Sequence, residues 1–246
     1  MVDMHRCPTK RWVVYRPQVA GTGLALVIAL LVGSFRLSAQ QPPIHYEHAG
    51  VLPPGAIGSR QLERGGPLPG YFQPVEIEAP AGASVSLAVE NQFSPPAAAP
   101  LKAGMLIGSV YRLRVMGIPR HEGAEVFPTI EVVNRLYPPP GQELRFPVPV
   151  ELTLEDLELA MEGHFVTRII YLEDPKLALP AAIDREHQSW FEVGPHDDPL
   201  AVADRLGRPM AILRIGGRVP IDSEQPGADF MYHSPPLLML NGCEAQ

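Results

Sequence analysis

The chain has 246 residues, a formal net charge of −7 and 29 prolines, against an average proline share of about 5%. That acidic balance argues against a nucleic-acid partner, because phosphate binding needs concentrated positive charge. The only cysteines are Cys7 and Cys243, so stability rests on a hydrophobic core rather than on a disulfide framework.

Residues 1–39 carry a basic start (His5, Arg6, Lys10, Arg11, Arg16), an apolar stretch over 19–35 and an exit at Leu37-Ser38-Ala39. This order predicts a secretory signal peptide. The strictly apolar part, residues 24–32, is short for a hydrocarbon core of roughly 30 Å, although the flanking residues bring it near the lower limit for a span. The segment therefore reads as a signal peptide or an N-terminal anchor. The expected location is exported, in the periplasm, at the cell surface or outside the cell, with single-pass anchoring as the alternative. Cleavage after Ala39 would leave 207 residues with a net charge of −11 and Cys243 as the only thiol. Apart from Lys102 and Lys176, its bases would all be arginine, which suits planar pairing with carboxylates.

Residues 40–103 read as a Pro-rich spacer with a short β-hairpin. Eleven prolines fall between Pro42 and Pro100, too many for regular structure over most of the segment. Within it, residues 74–79 and 84–90 alternate apolar and polar positions, and Pro80-Ala81-Gly82-Ala83 has the length of a hairpin loop. A β-rich core domain is expected over 104–220, with a C-terminal tail over 221–246. Its strands are predicted at 110–118, 130–137, 145–151, 165–172 and 210–215. Pro128 marks a strand start, and Pro147 with Pro149 marks an edge strand, since proline cannot donate to a ladder.

Two short helices interrupt these strands. Thr153-Leu154-Glu155-Asp156 has the form of a capping box, with Leu154, Leu157 and Met161 on one face and Gly163 as the stop. Asp198-Pro199 caps a second helix that ends at Gly207. Many short strands with two one-face helices predict a mainly β protein, an antiparallel β-sandwich-like domain. The alternative is an α+β layer, one sheet with both helices on one face.

Three groups of polar residues are candidate sites. His187, His196, Asp197 and Asp198 lie in one long loop and carry the ligand types of a hydrolytic metal. The simpler reading makes Asp198 a helix cap and lets Asp197 gain from the helix dipole, and no HExxH or EF-hand spacing supports the metal. Arg112, Arg114 and Arg168 would form an anion-binding face if their strands share a sheet face. The structural reading of the same residues is a solvated face with cross-strand ion pairs. The glycines of residues 206–218 follow a strand without the Lys-Ser/Thr of a phosphate loop and belong to the fold. No GxSxG is present and the expected folded part has no cysteine, which argues against covalent catalysis. No cofactor is expected.

GSVYRLRV at 108–115, PTIEVVNRLYPPPG at 128–141, VTRIIYLEDP at 166–175 and LGRPMAILRIGGRVP at 206–220 give this half of the chain a resemblance. It resembles a group of exported proteins of planctomycete bacteria, which implies a secretory setting and no particular activity. The functional expectation is an exported, non-catalytic envelope or surface protein acting by binding or structural contact, with an envelope or extracellular protein or polysaccharide as partner. The alternative is a metal-dependent hydrolase of envelope or extracellular polymers.

Overall fold

Two mostly antiparallel sheets absorb the alternating stretches, and the protein is mainly β. The computed structural model describes residues 52–176, 190, 192–194, 197–222 and 225–240. The smaller sheet contains β1 (Phe72–Glu78), β5 (Leu101–Leu106), β8 (Val148–Glu151) and β11 (Leu237–Met239), in the order β11-β5-β1-β8. Its β1–β8 pair is parallel and the others are antiparallel. The larger sheet contains β2 (Ser84–Val89), β3 (Gln92–Phe93), β6 (Val110–Met116), β7 (Thr129–Val132), β9 (Val166–Glu173) and β10 (Gly207–Ile215). These run in the order β3-β2-β6-β7-β10-β9, with the short β4 (Ala97–Ala98) paired to β2.

Period-2 alternation decides what lies between the sheets. Val75 and Ile77 of β1, Leu101 and Met105 of β5 and Val150 of β8 pack in one buried cluster with Val85, Leu87, Leu113, Ile130 and Leu213 of the larger sheet. Apolar inner faces meeting in this way form the core of a sandwich.

This packing corrects the expected boundary at residue 104. Residues 72–103 supply β1, β2 and β5, whose side chains are central to the core, so they are not a spacer. Their prolines sit where no ladder donor is needed. Pro74 lies on the β1 side that β8 leaves open, because the β1–β8 register begins only at Val75. Pro80 opens a turn in which Ala83 N–H donates to its carbonyl at 2.9 Å. The turn forms, but the expected hairpin does not, since β1 and β2 belong to different sheets. Both strands are buried too extensively to pair with each other and leave a face in water.

Proline and glycine also conceal a helix, α1 (Ala56–Glu63), inside the expected spacer. Ile57 packs with Val133, Leu200 and Ile212 on the outer face of the larger sheet. The approach is close at Gly58, where a Cβ would stand 2.7 Å from the Cα of Gly108. Only glycine lets the helix backbone come that near.

Residues 225–240 of the expected tail are likewise part of the fold. Phe230 and Met231 are buried with Ala88 and Phe127, and β11 pairs with β5. The Tyr111 hydroxyl donates to Pro236 O at 2.7 Å and accepts from Leu106 N–H at 2.8 Å, which ties this segment to the core. Burial pushes its phenol up to about 12.

The two expected helices are present as α2 (Leu154–Met161) and α3 (Pro199–Leu206). Leu157 and Ala160 of α2 join the main core, whereas Leu200 of α3 joins the outer cluster with Ile212. Two sheets, with helices on opposite sides of the larger one, replace the alternative of one sheet with both helices on one face. Half of the capping box forms: the Thr153 hydroxyl accepts from Asp156 N–H at 3.1 Å, while the Asp156 carboxylate turns to Arg168. Thr153→Ala should cost about 0.5–2 kcal/mol, seen as a lowered Tm, while Thr153→Ser should cost less. Gly207 ends α3 as expected. Its backbone is extended, and the reason for glycine is that a Cβ would run into the carbonyl of Leu172 on β9. Among the described residues no helix is long and apolar enough to cross a membrane, and residues 1–39 lie outside them.

Candidate functional site

The three arginines expected on one anion-binding face do not meet. Arg112 is in register with Thr129, which is in register with Arg214, and these lie on the outer face of the larger sheet. Arg168 is in register with Leu213, one residue out of phase, so alternation turns it to the opposite face. Each guanidinium is already engaged. Arg112 is buried and donates through Nε to Phe230 O at 3.1 Å and through Nη1 to Phe127 O at 2.7 Å. It also lies 4.5 Å from the Phe230 ring centroid. Burial pulls its pKa down to about 10, so it stays charged at physiological pH. Arg114 pairs with Glu125. Arg168 holds both oxygens of Asp156, at 2.6 and 2.8 Å, and stacks 4.6 Å from the ring of Trp190. The solvated cross-strand face holds only for Arg114, whose partner Glu125 lies beside the Val115–Val126 bridge, because Arg112 is out of water and the partner of Arg168 is on a helix.

Of the metal candidates, His187 and His196 lie outside the described residues. Asp198 caps α3 by accepting from Leu200 N–H at 3.0 Å, and Asp197 is exposed. Among the described residues no group of three His, Cys, Asp or Glu side chains is placed to hold a metal ion.

A concave site among the described residues lies elsewhere, where β8 at the end of the smaller sheet approaches β9 and β10. It is a groove of about 660 Å³, within the usual range of ligand sites. Val148, Ile170 and Met210 form its floor, and Met210 stands there because β10 is irregular between Pro209 and Ala211. Pro138, Pro139, Pro147 and Pro149 also line it. Tyr137, Phe146 and Tyr171 add aromatic rings, with Tyr137 64% and Phe146 46% exposed. Such exposure is costly for large apolar side chains unless something covers them.

Neighbouring groups hold the rings in place. The Arg135 guanidinium lies 4.5 Å from the Tyr137 ring centroid and 4.3 Å from that of Tyr71, and Arg208 lies 5.3 Å from Tyr137. Leu136 N–H donates to the Gln73 side-chain oxygen at 2.8 Å, which fixes the chain just before Tyr137. Burial, and then the charge of Glu173, push the Tyr171 phenol upward, so it remains a neutral donor. Three charged residues line the groove: Glu76, Arg145 and Arg208. Glu76 is paired with Lys102 at 3.2 Å. Neither Arg145 nor Arg208 forms an ion pair with a described carboxylate.

The described lining holds no Ser, Thr, Cys, His, Asp or Lys. It therefore offers rings, a rigid proline surface and two cations, but no nucleophile with an adjacent base. The sequence signal for this site is the pairing of an aromatic residue with prolines at Tyr137-Pro138-Pro139 and again at Phe146-Pro147-Val148-Pro149. Read locally, the first marks a strand end and the second an edge strand. That they face each other depends on two sheets packing. Comparison with known proteins finds no matching family model, no matching curated protein and no matching solved structure.

Proposed function

We propose that this chain is an exported, non-catalytic binding protein that holds an extracellular or envelope polymer in the groove between β8 and β9. The observation that carries the reading is the groove itself, whose exposed Tyr137 and Phe146 rings stand on a proline surface with no nucleophile in its described lining. Rigid aromatic side chains give contact area at low entropic cost, which suits binding. The export part rests on the leader pattern of residues 1–39.

Sedimentation with washed cell envelopes from the source organism tests the reading. Wild-type protein should pellet with the envelopes, and Tyr137→Ala/Phe146→Ala should lower the apparent affinity at least about tenfold, since each aromatic contact is worth about 1 kcal/mol or more. Both side chains are largely exposed, so Tm should hardly move. Equal pelleting of wild type and variant, or no pelleting of either, would overturn the proposal.

A further inference from the structure

The charges of the groove differ from those of the protein around them. The whole chain is acidic, with a net charge of −7, yet the groove is flanked by Arg145 and Arg208, which have no described carboxylate partner. The single acid in the lining, Glu76, is neutralised by Lys102. An occupant that meets both arginines must bring negative charge of its own, because guanidinium groups with no described carboxylate partner favour anions such as carboxylate, sulfate or phosphate.

The edge strand narrows the class of polymer. β8 pairs with β1 through Val148, Pro149, Val150 and Glu151, no other described strand pairs with it, and Val148 and Pro149 line the groove. Extended peptides bind such edges by adding a strand, which needs main-chain donors at alternate positions. Pro147 and Pro149 are alternate residues and have none. Recognition at this edge falls to side chains and to the flat faces of rings and prolines. Sugar rings stack on such surfaces without needing a backbone partner.

From the arginines without a described carboxylate partner and the two donor-less prolines at the edge together, we infer that the polymer is an acidic polysaccharide, with its carboxylates or sulfates on Arg145 and Arg208 and its sugar faces on Phe146 and the prolines. The inference rests on the groove being the binding site proposed above. Affinity electrophoresis of the full exported chain tests it, with polygalacturonate, chondroitin sulfate, neutral dextran or polyglutamate cast in the gel. At least one of the two acidic polysaccharides should retard the wild type, and Arg145→Gln/Arg208→Gln should weaken that retardation at least tenfold. Arg145→Lys/Arg208→Lys, which keeps the charge and loses the fork, should fall between them. Dextran and polyglutamate should leave mobility unchanged.

Equal retardation by dextran would overturn the role of charge, and equal retardation by polyglutamate would point to an acidic protein instead. Retardation by none of the four polymers would also overturn the inference. If envelope sedimentation still depended on Tyr137 and Phe146 in that case, the binding function would stand and only the ligand class would fall.

Discussion

Glu131→Ala should lower the stability of the protein by about 3–5 kcal/mol, the usual cost of removing one partner from a buried ion pair. Total stabilities are only about 5–15 kcal/mol, so the yield of folded protein should fall sharply as well. Glu131 is 0% and Arg214 3% exposed, with Arg214 Nη1 donating to Glu131 Oε2 at 2.7 Å. Among the described residues Arg214 Nε and Nη2 have no hydrogen-bond partner, so Glu131 supplies the only described compensation for that charge. Its other oxygen, Oε1, accepts from Gly58 N–H at 2.8 Å. One carboxylate thus neutralises a cation on β10 and docks α1 on the sheet. Urea unfolding followed by circular dichroism measures the loss. Glu131→Leu/Arg214→Met should recover much of it, because an apolar pair leaves no stranded charge. The exposed pair of Glu162 and His164 provides the contrast, since Glu162→Ala should change stability by less than about 1 kcal/mol. A loss that small for Glu131→Ala would mean that Arg214 is not held out of water.

Ile77→Ala should cost about 2–5 kcal/mol, the range for emptying a packed aliphatic site in a core. Ile77 is fully buried on β1, between β5 and β8, and faces the larger sheet. The size of the effect separates two views of residues 72–103. In a proline-rich spacer the same change would be close to neutral; in the sandwich it opens a cavity that strands on both sides prevent from collapsing. A fragment starting at Gly104 should accordingly fail to fold, because it lacks β1, β2 and the first half of β5 and exposes the inner face of the larger sheet. Thermal unfolding of the variant and limited proteolysis of the fragment would show this. A stable fragment, together with an unchanged Tm for Ile77→Ala, would reinstate the boundary near residue 104.

The strands at 110–116, 166–173 and 207–215 and the helices capped by Thr153 and Asp198 were legible because their causes are local. Alternation places Tyr111, Leu113 and Val115 on one side whatever the partner strand is, and a cap acts on its own first turn. Pro147 and Pro149 announced an edge for the same reason, since each lacks a donor in any sheet.

What escaped the sequence depends on residues far apart in the chain. α1 is held by Gly58 against Gly108 and by Gly58 N–H on Glu131, contacts with distant residues that its own stretch of proline-flanked, polar sequence does not announce. The strands within residues 72–103 were hidden because proline density was read as an average, whereas its effect depends on which side of a strand each proline faces.

The groove was illegible for a related reason. Its two aromatic–proline pairs could be seen, yet only the approach of β8 to β9 and β10 makes them walls of one site. For the arginines, the sequence by itself determined the alternation that puts Arg112 and Arg114 on one face. The tertiary structure alone decided that Arg168 turns the other way, that Arg112 is buried beneath Phe230, and that Arg145 and Arg208 line the groove without a carboxylate partner among the described residues. A strand's period fixes side-chain direction within a few residues, but which charges meet depends on register and sheet packing, which couple residues more than a hundred positions apart.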